Sequence, residues 1–195
     1  DSQLLLNLSY NLDQVYYEMS GLKSSLAKVC QHYKIIVGSA GTGKTHISAH
    51  LVNQIKSNGN YIVFFKPKHF NGDNINLNDR LLQLLQVPSG YTLAEILEKI
   101  NEFVSAQNKR CFFIIDALNE TTKSSIGFSS IWSDHLQDLI NQIGLFSHLY
   151  FICTLRTSYV DSIWSIRPSN LVEIRGFEKL PQLNALCKKY FLFYK

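Results

Sequence analysis

One junction constrains this chain more than any other feature. An unbroken apolar run, Ile35-Ile36-Val37, passes through Gly38-Ser39-Ala40-Gly41-Thr42-Gly43-Lys44-Thr45 into a segment patterned as a helix over residues 45–56. A strand that is apolar at every position has no face for solvent, so it belongs in a sheet covered on both sides. The glycines permit the abrupt reversal from strand into helix. A strand–loop–helix unit of this kind demands a parallel neighbour strand, and therefore an α/β fold.

The remaining pattern agrees. Further strands are expected at 61–65, at 110–115 ending before Asp116, at 149–155 and at 171–174. Helical periodicity marks 81–86, the run after Thr92 with its Thr92/Glu95 capping box, the run from Trp132 to Ile143, and a last helix through Leu183, Leu186 and Tyr190. Residues 70–74 and 121–130 read as loops. Leu12, Val15, Tyr16, Met19, Leu22, Leu26 and Val29 recur at helical steps before the first strand. The expectation is a helical segment at 1–33, followed at 34–195 by a three-layer α/β/α sandwich around a mostly parallel five-stranded sheet.

The junction also has a chemistry. Residues 38–45 satisfy G-x-x-x-x-G-K-[ST], in which successive backbone N–H groups curl around phosphate oxygens at a helix N-terminus. Lys44 then reaches the β- and γ-phosphates and the Thr45 hydroxyl takes Mg²⁺. Gly38, Ser39, Gly41, Thr42, Gly43, Lys44, Thr45 and His46 are the expected nucleotide-binding residues, and ATP or ADP with Mg²⁺ the expected ligands.

Such a loop needs a metal anchor, expected at the end of a neighbouring buried strand. Asp116, directly after Cys111-Phe112-Phe113-Ile114-Ile115, supplies it. The next residue is Ala117, and the first carboxylate beyond it is Glu120. Glu120 is the candidate base for an attacking water, with Asn119 positioning the water or the metal shell. Arg156 closes the apolar strand at 149–155, where a guanidinium would read the γ-phosphate and tell ATP from ADP.

Composition excludes several other classes. Of 195 residues, 46% are hydrophobic and 17% charged, which suits a packed domain. Nineteen basic residues against fifteen acidic give +4, and the excess is scattered rather than gathered in a nucleic-acid stripe. Cys30, Cys111, Cys153 and Cys187 show no metal or disulfide spacing, which points to a reducing, cytoplasmic setting. His46 and His50 sit four apart without a third ligand and are expected as partly buried packing. No membrane span or signal peptide is visible. The chain begins at Asp1, and a segment of a longer protein is the expectation.

Together, the loop, the Asp116-Ala117-Leu118-Asn119-Glu120 turn and Thr154-Leu155-Arg156 resemble the STAND class of P-loop ATPases, which includes the NACHT proteins. Ile174-Arg175-Gly176-Phe177-Glu178 and the helix beyond are similar to the end of a NACHT nucleotide domain. The wider stretches, Asp116 to Thr121 and Leu155 to Tyr159 among them, are similar to bacterial anti-phage ATPases of the Avs type. The resemblance spans residues 34–191. It implies a slowly hydrolysing ATP switch within a larger signalling protein that self-associates when activated and recognises a foreign protein through a C-terminal region outside this chain. A nucleoside or small-metabolite kinase is the alternative, though Arg80, Arg110, Arg156, Arg167 and Arg175 form no lid pattern. A module whose nucleotide is purely structural is a third reading.

Overall fold

The computed structural model describes residues 31–72, 76–122 and 130–175. These lie, Gln31 apart, in the second of two compact units, residues 1–31 and 32–195. The helices expected at 12–29 and beyond 180 lie outside the described residues.

Five strands form one sheet: β1 Tyr33–Gly38, β2 Tyr61–Phe65, β3 Cys111–Ile115, β4 Leu149–Arg156 and β5 Leu171–Ile174. Their order is β2-β3-β4-β1-β5 and every pairing is parallel. Parallel strands need long crossovers, which are supplied by α1 Lys44–Ser57, α2 Leu77–Leu84, α3 Leu93–Ala106, α4 Ile131–Gly144 and the short α5 Val160–Ile163. The expected strands are all present. One placement differs: β3 is not beside β1, because β4 lies between them. Adjacency of strands in parallel sheets is set by crossover packing, which a strand's own residues do not encode.

The sheet buries its two faces unequally. Ile35, Val37, Phe113, Ile115, Phe151, Cys153 and Leu155 face a large core built with α2, α3, α4 and α5, in which Trp132 and Leu136 are fully buried. Ile36, Ile114 and Ile152 face the other way, against Ile55 of α1. Alternate residues of one strand thus enter different cores, which is why β3 and β4 are apolar throughout.

Two local features depart from the sequence reading. α2 begins at Leu77 rather than 81, because the Asn76 side chain accepts from the N–H groups of Asn78 and Asp79 at 2.9 and 3.2 Å and so caps the helix earlier. The segment before it is more than a loop: Pro67–Phe70 makes a turn of 3₁₀ helix, with proline at its start. That turn carries Phe70 into the core, edge-on to Trp132 with ring centroids 4.9 Å apart. The capping box at Thr92 forms as expected, with Glu95 Oε2 accepting from the Thr92 N–H at 2.7 Å.

Candidate nucleotide site

Four of the strands end, at their C-terminal tips, around two adjoining depressions. The first follows β1. Gly43 adopts a left-handed conformation (φ 89°), which glycine takes without steric cost and which turns the chain into α1. Gly38 is glycine for a different reason. A Cβ there would lie 2.6 Å from Thr42 Oγ1 and 2.7 Å from the Ile174 carbonyl oxygen of β5. The loop then closes on itself: the Thr42 hydroxyl donates to the Ser39 carbonyl at 2.9 Å.

Lys44, buried at the helix start, donates through Nζ to the carbonyls of Gly38 and Ser39 at 2.8 and 2.7 Å. Burial holds its ammonium below the ordinary lysine value, the Arg156 guanidinium pushes the same way, and Asp116 and Glu120 pull against them. An ammonium in such surroundings gains from any anion brought to it.

Around this loop lies a cleft of about 290 Å³, walled on one side by Gly41, Lys44, Thr45 and His46 and on the other by Asn119, Glu120 and Arg156. The sequence candidates therefore converge from three separate turns. Arg156 is exposed at the tip of β4, paired in register with Gly38. Gly38, Ser39 and Thr42 shape the loop without lining the cleft. His46 and His50 are both exposed, so the expectation of partly buried packing was wrong: α1 turns its narrow apolar stripe, Ile47, Leu51 and Ile55, to the sheet and leaves these histidines outside.

Asp116 is buried at the end of β3. Its Oδ1 accepts from Ser48 Oγ at 2.8 Å and from Thr154 Oγ1 at 2.7 Å. Thr154 is fully buried and uses its oxygen twice, accepting also from the Ala117 N–H at 2.8 Å. Ala117 itself takes φ 55°, ψ 54°, a conformation that costs a non-glycine residue about 1 kcal/mol. This kink starts the turn Leu118–Glu120, in which the Glu120 N–H returns to the Ala117 carbonyl at 2.8 Å and the Glu120 side chain stays exposed. The Asn119 Oδ1 accepts from the Arg156 backbone N–H at 2.9 Å, so its oxygen ties this turn to β4.

Sequence reasoning did not assign Thr154 or Ser48. The signal for Thr154 was a hydroxyl in an otherwise apolar strand; a buried polar side chain requires a partner, and here it has two. Ser48 lies one turn beyond Lys44 on the buried side of α1.

The Thr45 hydroxyl and Asp116 are hard oxygen donors, and the second Asp116 oxygen accepts from no described residue. This set fits a hard divalent ion that completes its shell with phosphate and water. Among the described residues no group of three or more His, Cys, Asp or Glu is placed to hold a metal alone. Nor is any described helix long and apolar enough to cross a membrane.

A parallel sheet whose first strand runs through a glycine loop into a helix, with a buried lysine and a hydroxyl at that helix's start, defines a P-loop nucleotide-binding domain. Residues 16–175 match the family model described as novel STAND NTPase 3, and the chain belongs to that family. Among solved structures it is similar to the ORC2 protein of Aeropyrum pernix in its ADP form, at 14% identity over 87% of this chain and 51% of that one, with a TM-score of 0.50. It is also similar to Cdc6p from Pyrobaculum aerophilum, at 14% identity over 82% of this chain and 44% of that one, with a TM-score of 0.45. At this identity the likeness concerns the fold alone. The chain spans about half the length of these proteins or less. No curated protein sequence matches it.

Proposed function

We propose that this domain is an ATP-driven switch that hydrolyses its nucleotide slowly and works within a longer signalling protein. The observation that carries the reading is the convergence of Lys44, Glu120 and Arg156 on one cleft, from three different strand ends. Lys44, Gly41, Gly43 and His46 cradle the phosphates, and Thr45 with Asp116 holds Mg²⁺, which supplies charge neutralisation there. Glu120 accepts a proton from the attacking water as its oxygen bonds to the γ-phosphorus and the bridging P–O electrons pass to ADP.

Arg156 supplies the switch. A ligand moves an equilibrium only by its difference in affinity for the two states. ADP lacks the group that Arg156 would hold, so the two nucleotides differ at the tip of β4. Asn119 acts here as a positioning residue, because its oxygen fixes the Arg156 backbone.

The resemblance of the Asp116–Thr121 and Leu155–Tyr159 stretches extends the proposal to a cytoplasmic anti-phage sensor that self-associates on activation, its target read by another region. Free, buried Cys111 and Cys153 suit a reducing compartment. The kinase alternative has lost its support, since the family is a STAND one and Arg156 is the only arginine lining the cleft among the described residues.

The test is nucleotide discrimination. Purified chain is denatured and its released nucleotide identified by ion-exchange chromatography; retained ADP is expected of a switch. Arg156→Ala should then weaken ATP about tenfold more than ADP in equilibrium titrations, roughly the worth of one charge-assisted hydrogen bond. Equal losses for both nucleotides would remove the sensing role.

A further inference from the structure

A second chamber of about 390 Å³ lies over the ends of β2 and β3, beside the cleft over β1 and β4. Thr45, Asp116 and Glu120 line one side of it, and Phe64, Lys66 and Lys68 the other. Thr45, Ala117 and Glu120 belong to both spaces, so the two adjoin at a rim that includes the residues assigned to metal, Thr45, and to water, Glu120.

The lysine wall is held in place. Phe70 anchors its turn against Trp132, and Phe65 and Phe70 meet edge-on at 5.8 Å. Beyond the turn, Asn71 Oδ1 accepts from the Thr122 N–H at 3.0 Å and the Gly72 N–H donates to the Thr122 carbonyl at 3.3 Å. These bonds join the lysine turn to the turn that carries Glu120. Lys66 and Lys68 are exposed and form no ion pair among the described residues. The positive field is felt next door: His69 is held below the ordinary histidine value, first by burial and then by Lys68, Arg80 and Lys66.

We propose that this chamber is a transient orthophosphate site through which the cleaved γ-phosphate departs, received by Lys66 and Lys68. The inference rests on nucleotide occupying the adjoining cleft. In an in-line displacement the water oxygen bonds to phosphorus on the side opposite the bridging oxygen, whose P–O bond breaks toward ADP. Phosphorus therefore moves toward the nucleophile, and hence toward Glu120. Behind the new orthophosphate stand the two phosphates of ADP, which repel it. Ahead, past Glu120 and Thr45, lies a chamber whose far wall presents two ammonium groups that form no ion pair among the described residues. Glu120 and Asp116 on the near wall repel the dianion as well, so the stay there is brief and the direction is outward, toward the lysines.

The experiment measures phosphate and ADP separately. Inorganic phosphate is titrated calorimetrically into the chain saturated with Mg²⁺ and ADP, after ADP affinity has been measured alone. Lys66→Gln with Lys68→Gln should weaken phosphate by on the order of tenfold and leave ADP affinity unchanged, since two long-range anion contacts are lost. Glu120→Gln should tighten phosphate severalfold, because a like charge facing the same space is removed. Phosphate affinity unchanged in the lysine variant overturns the proposal. So does a loss confined to Arg156→Ala, which would mean that phosphate returns to the γ-position instead. No phosphate binding to the ADP-loaded chain also overturns it, and failure of ADP itself to bind overturns the nucleotide assignment beneath it.

Discussion

The turns that follow β1 and β3 are built on opposite principles. Both leave a buried strand through a left-handed residue, Gly43 at φ 89° and Ala117 at φ 55°. The first closes through its own side chains, with Thr42 and Lys44 bonding to carbonyls three to six residues away. The second is held from outside: Ser48, Thr154 and the Arg156 backbone grip Asp116, Ala117 and Asn119 across 37 to 68 residues of chain. A locally closed loop keeps its shape whenever its helix forms. A turn gripped by distant partners keeps its shape only while β4 stays docked, which makes it the part of the site able to report a change elsewhere in the sheet.

The largest expected effect falls on the self-closed loop. Lys44→Ala should reduce ATP affinity on the order of a hundredfold or more, because charge-assisted bonds to two phosphates are lost at about 1.5–3 kcal/mol each; titration with a fluorescent ATP analogue checks it. The fold should survive, since Lys44 bonds only within its own loop. Its lowered proton affinity adds a pH dependence. Bound phosphates favour the charged ammonium, so above the free lysine's own value binding must take up a proton and affinity falls as pH rises. The decline should therefore begin below the ordinary lysine value of 10.5 and disappear in Lys44→Ala.

The externally gripped turn should behave in the reverse way, with stability suffering first. Thr154→Val keeps the volume but strands the Ala117 N–H and one acceptor site of Asp116, and should cost about 2–3 kcal/mol in urea unfolding. A cost near zero would mean that water replaces the hydroxyl and the grip is dispensable. Asn119→Ala should cost less, about 1 kcal/mol, since its bond lies in an exposed setting; the informative readout is the ATP-to-ADP affinity ratio, which should shrink as Arg156 loses its backbone tie. Ala117→Gly is the smallest change. Relief of about 1 kcal/mol of left-handed strain is offset by a similar loss of unfolded-state restriction, so the unfolding midpoint should barely move.

The same contrast explains what could be read beforehand. The loop at 38–45 was legible because the side-chain bonds that close it, from Thr42 and Lys44, lie within the motif, though the close approach of Ile174 to Gly38 was not. The strand at 111–115 and its terminal Asp116 were legible because a continuous apolar run ended in a charge. The roles of Thr154 and Ser48 were not, since a hydroxyl in a strand or a helix announces burial only when its partner is known. Phe70 was read as loop because its aromatic partner, Trp132, lies more than sixty residues away in the chain. The exposure of His46 and His50 depended on which stripe of α1 met the sheet.

The sequence by itself determined the βα junction, the parallel sheet and the glycine loop with Lys44 at its helix start, because strand burial, glycine conformations and helix starts are local consequences of local composition. Only the tertiary structure decided that β4 stands between β1 and β3. That order lets one threonine hold both Asp116 and the Ala117 backbone, and it brings Arg156 and Glu120 to the same cleft. Strand order is fixed by how crossover helices pack against the sheet, a sum over contacts between distant segments that no single stretch of sequence contains.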